Sequence, residues 1–285
     1  MAIELATKYL PYVDELFSTE SRKSLATNQD FSWTGAHTVK VYSIGTSDMN
    51  DYDRNGEVDG LNRYGKPKDL DATTQEFTLS KDRSFTFIID RLDKDETAGA
   101  LNGASALARQ TRQVSIPEVD AYVYGKIAAG AGHKPAAVEL TPENIYTEVI
   151  KAGNAMDNAE VPETGRVLLV PPDTYLLMKQ CRDITMETDI GNDLRLKGVI
   201  SNLDGTSVVK VPAARLPKST GFILCHPVAT VAPVKLESYK VHEDPPGING
   251  TLVEGRICYD AFVLKNKAKA IYLQKVKAGT AIENE

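Results

Sequence analysis

This 285-residue sequence has little of the raw material that catalysis or metal chemistry needs. Its three cysteines, Cys181, Cys225 and Cys258, lie far apart with no Cys-x-x-Cys spacing. That excludes a disulfide framework and a zinc knuckle, and fits small buried hydrophobes in a reducing compartment such as the cytoplasm. The four histidines, His37, His133, His226 and His242, are scattered, and none stands at ligand spacing from a cysteine or another histidine. Each therefore reads as a surface or hydrogen-bonded residue. There is no Gly-x-Ser-x-Gly, no Walker sequence and no Gly-x-Gly-x-x-Gly, and Ser24, Ser115 and Ser201 stand in no motif. No run approaches the roughly 18 apolar residues that a bilayer-spanning helix needs. The N-terminus, MAIELATKYLPYVDEL, lacks the basic start and apolar core of a signal peptide. Basic excess is missing too: 33 Lys and Arg stand against 39 Asp and Glu, giving a net charge of -6. A dedicated nucleic-acid binder normally shows a basic footprint, so at most a weak or local contact is expected. No enzyme, cofactor or membrane partner is expected from these absences.

What is present is a chain able to build a core, with 42% hydrophobic and 25% charged residues, enough for two compact domains or one elaborated one. Residues 1–30 carry a broken amphipathic pattern (Ile3, Leu5, Leu10, Val13, Leu16, Phe17, with Pro11 inside it). The segment is too short to form a core and reads as an arm that needs another surface. Thr38–Ile44 alternates with period two, and Glu76–Ser80 followed by Phe85–Ile89 answers it beyond a Gly-, Asp- and Asn-rich stretch, 48–71. This predicts an extended hairpin with a polar tip, which usually needs a partner to lie on.

A long helical segment follows, starting near Asp93 or Asp95 as cap. Leu101, Ala104, Leu107, Ala108 and Thr111 keep one side small, and Ile116, Val119, Val123 and Ile127 form an apolar stripe. Pro117 predicts a kink or restart with Ser115 as a new cap, and Gly130 and Gly132 predict the end. Some 35 residues would give a rod of about 50 Å. Thr141-Pro142-Glu143 starts another helix, with Ile145, Val149, Ala152 and Met156 as its buried face. Arg166–Val170 reads as a buried strand, Pro171-Pro172-Asp173 opens a further helix, and Ser207–Val211, Gly221–Cys225 and Ala229–Val234 read as strands. Residues 138–228 thus resolve into one compact α/β subdomain. The tail is again strand-like: Leu236–His242, a turn at 244–247, Gly255–Leu264 and Ala268–Val276. Lys265, Lys267 and Lys269 alternate and would share one face of a strand, either as edge protection or as a contact for an acidic neighbour.

One metal-like motif exists. Asp51, Asp53, Asn55, Glu57 and Asp59, with Gly56 sixth, match the front half of a calcium loop. The twelfth position is Asn62 where a bidentate Glu is required, and strands flank it where helices should, so a polar turn tip is the better reading. The carboxylate pairs Asp93/Asp95 and Glu118/Asp120 are read as helix starts and solvated faces rather than acid–base pairs.

The order of these pieces resembles the major capsid proteins of tailed bacteriophages with the HK97-type fold. DYDRNGEVDG, FTFIIDRLDKDETAG, VSIPEVDAYVYGKIA, VLLVPPDTYLLMKQ and LDGTSVVKVPAARLP look like the corresponding stretches of one capsid branch. The resemblance implies an α+β fold with an N-arm (1–32), an extended β-hairpin E-loop (33–90), a P-domain spine helix (91–135), a compact α/β A-domain (136–228) and P-domain return strands (229–285). It further implies a shell protein that partners itself in hexamers and pentamers of an icosahedral or prolate head around double-stranded DNA, located in the virion and assembled in the host cytoplasm. Scaffolding, portal and decoration proteins are the implied further partners, with packaged DNA held only by weak non-specific contact. The expected intersubunit residues are Tyr52, Asp53, Arg54 and Tyr64 of the hairpin, Leu10, Tyr12, Leu16 and Phe17 of the arm, and Lys265, Lys267 and Lys269. Some members carry an N-terminal scaffolding extension and this sequence begins directly at its arm, so either a separate scaffolding protein or such an extension outside this sequence is expected, and no intersubunit cross-link is. The alternatives are an encapsulin-like nanocompartment shell and a calcium-dependent binding module at Asp51–Asn62.

Overall fold

The computed structural model describes residues 20–28, 38–44, 46–52, 54, 63–64, 68–69, 72–96, 102–186 and 202–277. The chain divides into two units: Thr34–Leu79, and a larger one made of Met1–Trp33 with Ser80–Glu285. In the smaller unit β1 (Thr38–Ile44) and β2 (Ala72–Thr78) pair antiparallel, in unbroken register from Thr38↔Thr78 to Ile44↔Ala72. The expected hairpin is there, but its second arm is Ala72–Thr78. Phe85–Ile89, expected to extend that arm, lies instead in a sheet of the larger unit.

The larger unit opens with β3 (Lys81–Asp90) and a short α1 (Arg91–Glu96). The main helix starts later than Asp93 or Asp95. Asn102 Oδ1 accepts the Ala104 N–H at 2.9 Å, which caps α2 (Gly103–Gln110). Nor does the helix stop at Pro117. Thr111–Ser115 forms a π-helical turn, in which the Ile116 N–H reaches back to the Thr111 carbonyl, and α3 (Ile116–Ala129) follows directly. Ser115 is helical (φ -66, ψ -48) and makes no cap. A proline ring crowds the carbonyl four residues before it, and widening the preceding turn gives the ring room without ending the helix. The continuous helix, 103–129, is about 40 Å long, shorter than expected. It ends at Gly130, as read, with the Gly130 N–H on the Lys126 carbonyl at 2.9 Å.

Beyond it, α4 (Ile145–Asp157) begins three residues past the expected Pro142 start. Asn144 Oδ1 accepts the Thr141 N–H at 2.8 Å and holds residues 141–144 as a turn. β4 (Val167–Val170), α5 (Pro172–Gln180) and α6 (Arg182–Met186) follow, then β5 (Asn202–Leu203), β6 (Thr206–Lys210) and β7 (Thr220–Cys225). The β5–β6 link is the two-residue turn Asp204-Gly205, with φ of 49° and 69°, the positive pair that a tight hairpin turn requires. Then come β8 (Thr230–Val231), β9 (Val234–Glu243), β10 (Gly250–Tyr259), β11 (Phe262–Val263) and β12 (Ile271–Lys275). Several tail expectations shift. The strand expected at Ala229–Val234 shrinks to β8, and the one expected at Gly255–Leu264 ends at Tyr259. Lys265–Ala270 is a 3-10 helix rather than strand.

Two sheets organise the unit. The first has the order β3-β10-β9, antiparallel throughout. One face carries Ile89, Val253 and Val241 under α2, where Gly103 sits against Thr251 and Val241. The opposite face carries the Asp82–Arg256 and Glu254–His242 pairs. The second sheet has the order β12-β7-β4-β6-β5, with β4 and β6 parallel. Its central strands β4 and β7 are buried along their whole length. Val119, Val123 and Ile127 of α3 and Ile145, Val149, Ala152 and Met156 of α4 join the same core, as their periodicity predicts. The segment read as a self-contained subdomain, 138–228, does not close alone: β12, from the tail, pairs with β7. No helix among the described residues is long and apolar enough to cross a membrane.

Candidate assembly surfaces and the polar ties behind them

Residues 20–28 lie in the stretch read from sequence as an arm, and they pack against this chain's own body. Ala26 and Thr27 are buried, and the Asn28 N–H donates to the Thr230 carbonyl at 2.7 Å beside β8. This stretch is tied to α3 through Asp120. Read as part of a solvated face, Asp120 is instead 1% exposed: Ser21 Oγ donates to Oδ1 at 2.7 Å, and Arg215 Nη1 lies 2.9 Å from Oδ2. Arg215 Nη1 also reaches the Glu20 carbonyl at 3.4 Å. Around this pair burial drives the Lys23 ammonium below its ordinary range, against the raising pull of Asp120 and Glu237. Burial likewise pushes the Tyr124 hydroxyl well above its usual value. Buried ions persist where every partner is supplied, and here three separate segments supply them.

A second tie gathers on Asp260, just past β10 and 2% exposed. Its Oδ2 accepts from the Ser80 N–H and from Ser80 Oγ, each at 2.8 Å. Its Oδ1 accepts from the Tyr122 hydroxyl at 2.8 Å and the Ala261 N–H at 2.7 Å. The Tyr122 ring meets Tyr259 edge-on at 5.6 Å, with the Lys81 and Lys126 ammonium groups 5.2 and 5.3 Å from its centroid. Glu118, two residues before Asp120 on α3, does face solvent and pairs with Arg83 of β3 at 2.7 Å. Alternate residues of one stretch of α3, 118, 120 and 122, thus engage three different partners. Sequence reading missed Asp120, Arg215, Asp260 and Ser80. The available signal was faint: an acid set beside the Val119–Val123 stripe.

The expected contact residues are placed as follows. Tyr52 and Tyr64 meet edge-on with centroids 5.1 Å apart, at 50% and 73% exposure, and Met49, shortly before Tyr52 in sequence, is 97% exposed. Arg54 is exposed, whereas Asp53 and the arm residues Leu10, Tyr12, Leu16 and Phe17 lie outside the described residues. Most of the calcium-like stretch, Asn55 to Asn62, lies outside them as well. Among the described residues no group of three or more His, Cys, Asp or Glu could hold a metal ion. Lys265, Lys267 and Lys269 are exposed, but they do not form one row: the 3-10 helix at 265–270 turns 120° per residue and splays them. His226 is hydrogen-bonded through both ring nitrogens, taking the Val228 N–H on Nδ1 and meeting the Thr164 carbonyl with Nε2. His133 departs from the expectation, since its buried Nε2 has no hydrogen-bond partner among the described residues.

A sequence profile described as phage capsid protein matches residues 72–274. No curated protein sequence matches the chain. Among solved structures, one from Mycobacterium phage Che8 superposes with a TM-score of 0.76 at 17% identity, over 95% of this chain and 96% of that one. The capsid of cyanophage P-SCSP1u gives 0.76 at 14% identity, over 96% and 93%. A virus-like particle from Pyrococcus furiosus gives 0.56 at 12% identity, over 90% and 92%. The profile covers more than two thirds of the sequence, and the superpositions extend the same architecture to nearly all of it. The chain belongs to the phage capsid protein family, with the HK97-type fold of the major capsid proteins of tailed bacteriophages.

Proposed function

We propose that this chain is the repeating shell subunit of a phage head, joining copies of itself in hexamers and pentamers around double-stranded DNA. The observation that carries the reading is the family match across 72–274 on a fold shared over 95% of the chain. The arm is then residues 1–32 and the E-loop 33–90, with β3 also serving as the first strand of the P-domain sheet. The P-domain takes 91–135 and 229–285. The A-domain takes 136–228 and borrows β12.

The two-stranded hairpin supports this reading, since a lone ribbon of that kind is marginal in water. Its exposed Met49, Tyr52 and Tyr64 are the kind of apolar anchors that a neighbouring subunit would cover. Leu10, Tyr12, Leu16 and Phe17 of the arm, with Asp53 and Arg54, complete the proposed contact set, and the splayed Lys265, Lys267 and Lys269 act singly against acidic neighbours. A net charge of -6 keeps packaged DNA weakly held, which suits a container that must release it. Scaffolding, portal and decoration proteins are the proposed further partners, and no catalytic role is assigned.

The test is a negative-stain micrograph of the expressed protein. Closed particles or capsomer rings are expected, and a strictly monomeric product overturns the reading. Nuclease-protected DNA in particles from infected cells is expected, whereas a protein cargo would mark a nanocompartment.

A further inference from the structure

We propose that Asp260 is a positioning residue that sets the root of the hairpin through Ser80, a role that rests on the shell-subunit reading above. Ser80 is the first residue of the larger unit after Leu79, so the chain passes there from one unit into the other. A ribbon of two strands has no core with which to fix its own base. The backbone at this crossing therefore bears on the hairpin, and among the described residues Ser80 is the crossing residue tied to Asp260.

The holding is specific. A carboxylate offers about four acceptor sites, and Asp260 gives one whole oxygen to Ser80, to its main-chain N–H and its hydroxyl together. A carboxylate needed only to stabilise the end of β10 would be served by the neighbouring Ala261 N–H and by Tyr122. The second oxygen connects Ser80 to the spine, because Tyr122 belongs to α3 and lies two residues from Asp120, which accepts from Ser21. Ser80, through Asp260, and Ser21 are thus tied to the same stretch of one helix.

Asparagine separates this role from simple packing. An amide has one acceptor oxygen, so in Asp260→Asn the NH2 must face either the Ser80 N–H or the Ala261 N–H. Ala261 is the next residue and keeps its bond, which leaves the Ser80 N–H opposed by another donor. Ser80→Thr retains both donors, and Ser80→Ala loses only the hydroxyl.

The experiment pairs hydrogen–deuterium exchange on unassembled subunits with micrographs of the assembled product. In Asp260→Asn the Ser80 and Lys81 amides are expected to exchange at least tenfold faster while β4 and β7 keep their wild-type protection. The yield of closed, uniform particles should fall at least fivefold, and Ser80→Thr should match the wild type on both measures. Faster exchange at Ser80 with wild-type particle yield and diameter would overturn the proposal, as would unchanged exchange. Should Asp260→Asn fail to fold, Ser80→Ala and Tyr122→Phe each remove one hydroxyl donor, and the same changes in exchange and particle yield support or overturn the proposal. A wild type that forms no particles counts against the shell reading, whereas unchanged exchange in Asp260→Asn counts against the role of Asp260 itself.

Discussion

Asp120 and Arg215 are both buried, and an ion pair so placed is only as good as its weaker half. Removing one member strands the other charge in a low dielectric, while replacing both with apolar residues is often close to neutral. Asp120→Ala is expected to cost about 3–5 kcal/mol in urea unfolding of the isolated subunit, and Asp120→Leu combined with Arg215→Met to recover most of that. A double variant no more stable than the single one would show that the two residues are uncoupled. The thiols provide a second prediction at this scale. Burial pushes Cys225 up to about 12, Cys181 is 1% exposed, and only Cys258 is half-buried. Since the thiolate is the reactive species, a disulfide reagent at pH 8 should label Cys258 promptly in the native subunit and all three cysteines only after unfolding. Prompt labelling of Cys225 would contradict the packing around β7.

The spine helix offers two glycines with opposite expectations. A Cβ at Gly130 would stand 2.5 Å from Val263 Cγ2 and 2.6 Å from Val263 Cβ, so Gly130→Ala must displace β11 and is expected to lose about 1–3 kcal/mol. A Cβ at Gly125 meets nothing within 4 Å, and Gly125→Ala, inside α3, is expected to gain about 0.5–1 kcal/mol. Thermal melts of the unassembled subunits check both signs. Features governed by neighbours in sequence were readable in advance: the Val119–Ile127 stripe, the helix end at Gly130 and the first hairpin strand. Features governed by distant partners were not. The Phe85–Ile89 run alternates correctly for a strand, but nothing local says that it pairs with 251–255 rather than with the hairpin. The lysines at 265–269 alternate as a strand would, yet their segment is held by the Gly132 N–H on the Ala268 carbonyl and becomes a 3-10 turn. Pro117 predicts a kink or restart, and the π-helical turn that accommodates it leaves no mark in residue type.

For the whole molecule, the Tyr52–Tyr64 pair separates folding from assembly. Tyr64 is 73% exposed, so Tyr64→Ala should leave subunit stability within about 0.5 kcal/mol of wild type. Light scattering should nonetheless show a marked loss of high-mass product, and unimpaired assembly would remove the pair from the proposed contact set. The borrowed strand β12 has a different consequence, in the order of synthesis. Its partner β7 is complete at residue 225, but the edge of that sheet stays open until residues 271–275 leave the ribosome. A nascent subunit therefore holds back its finished surface until translation has passed nearly all of the elements described here. Until then the open edge of β7 is a template on which another growing chain could pair, so its closure by β12 also removes an aggregation hazard.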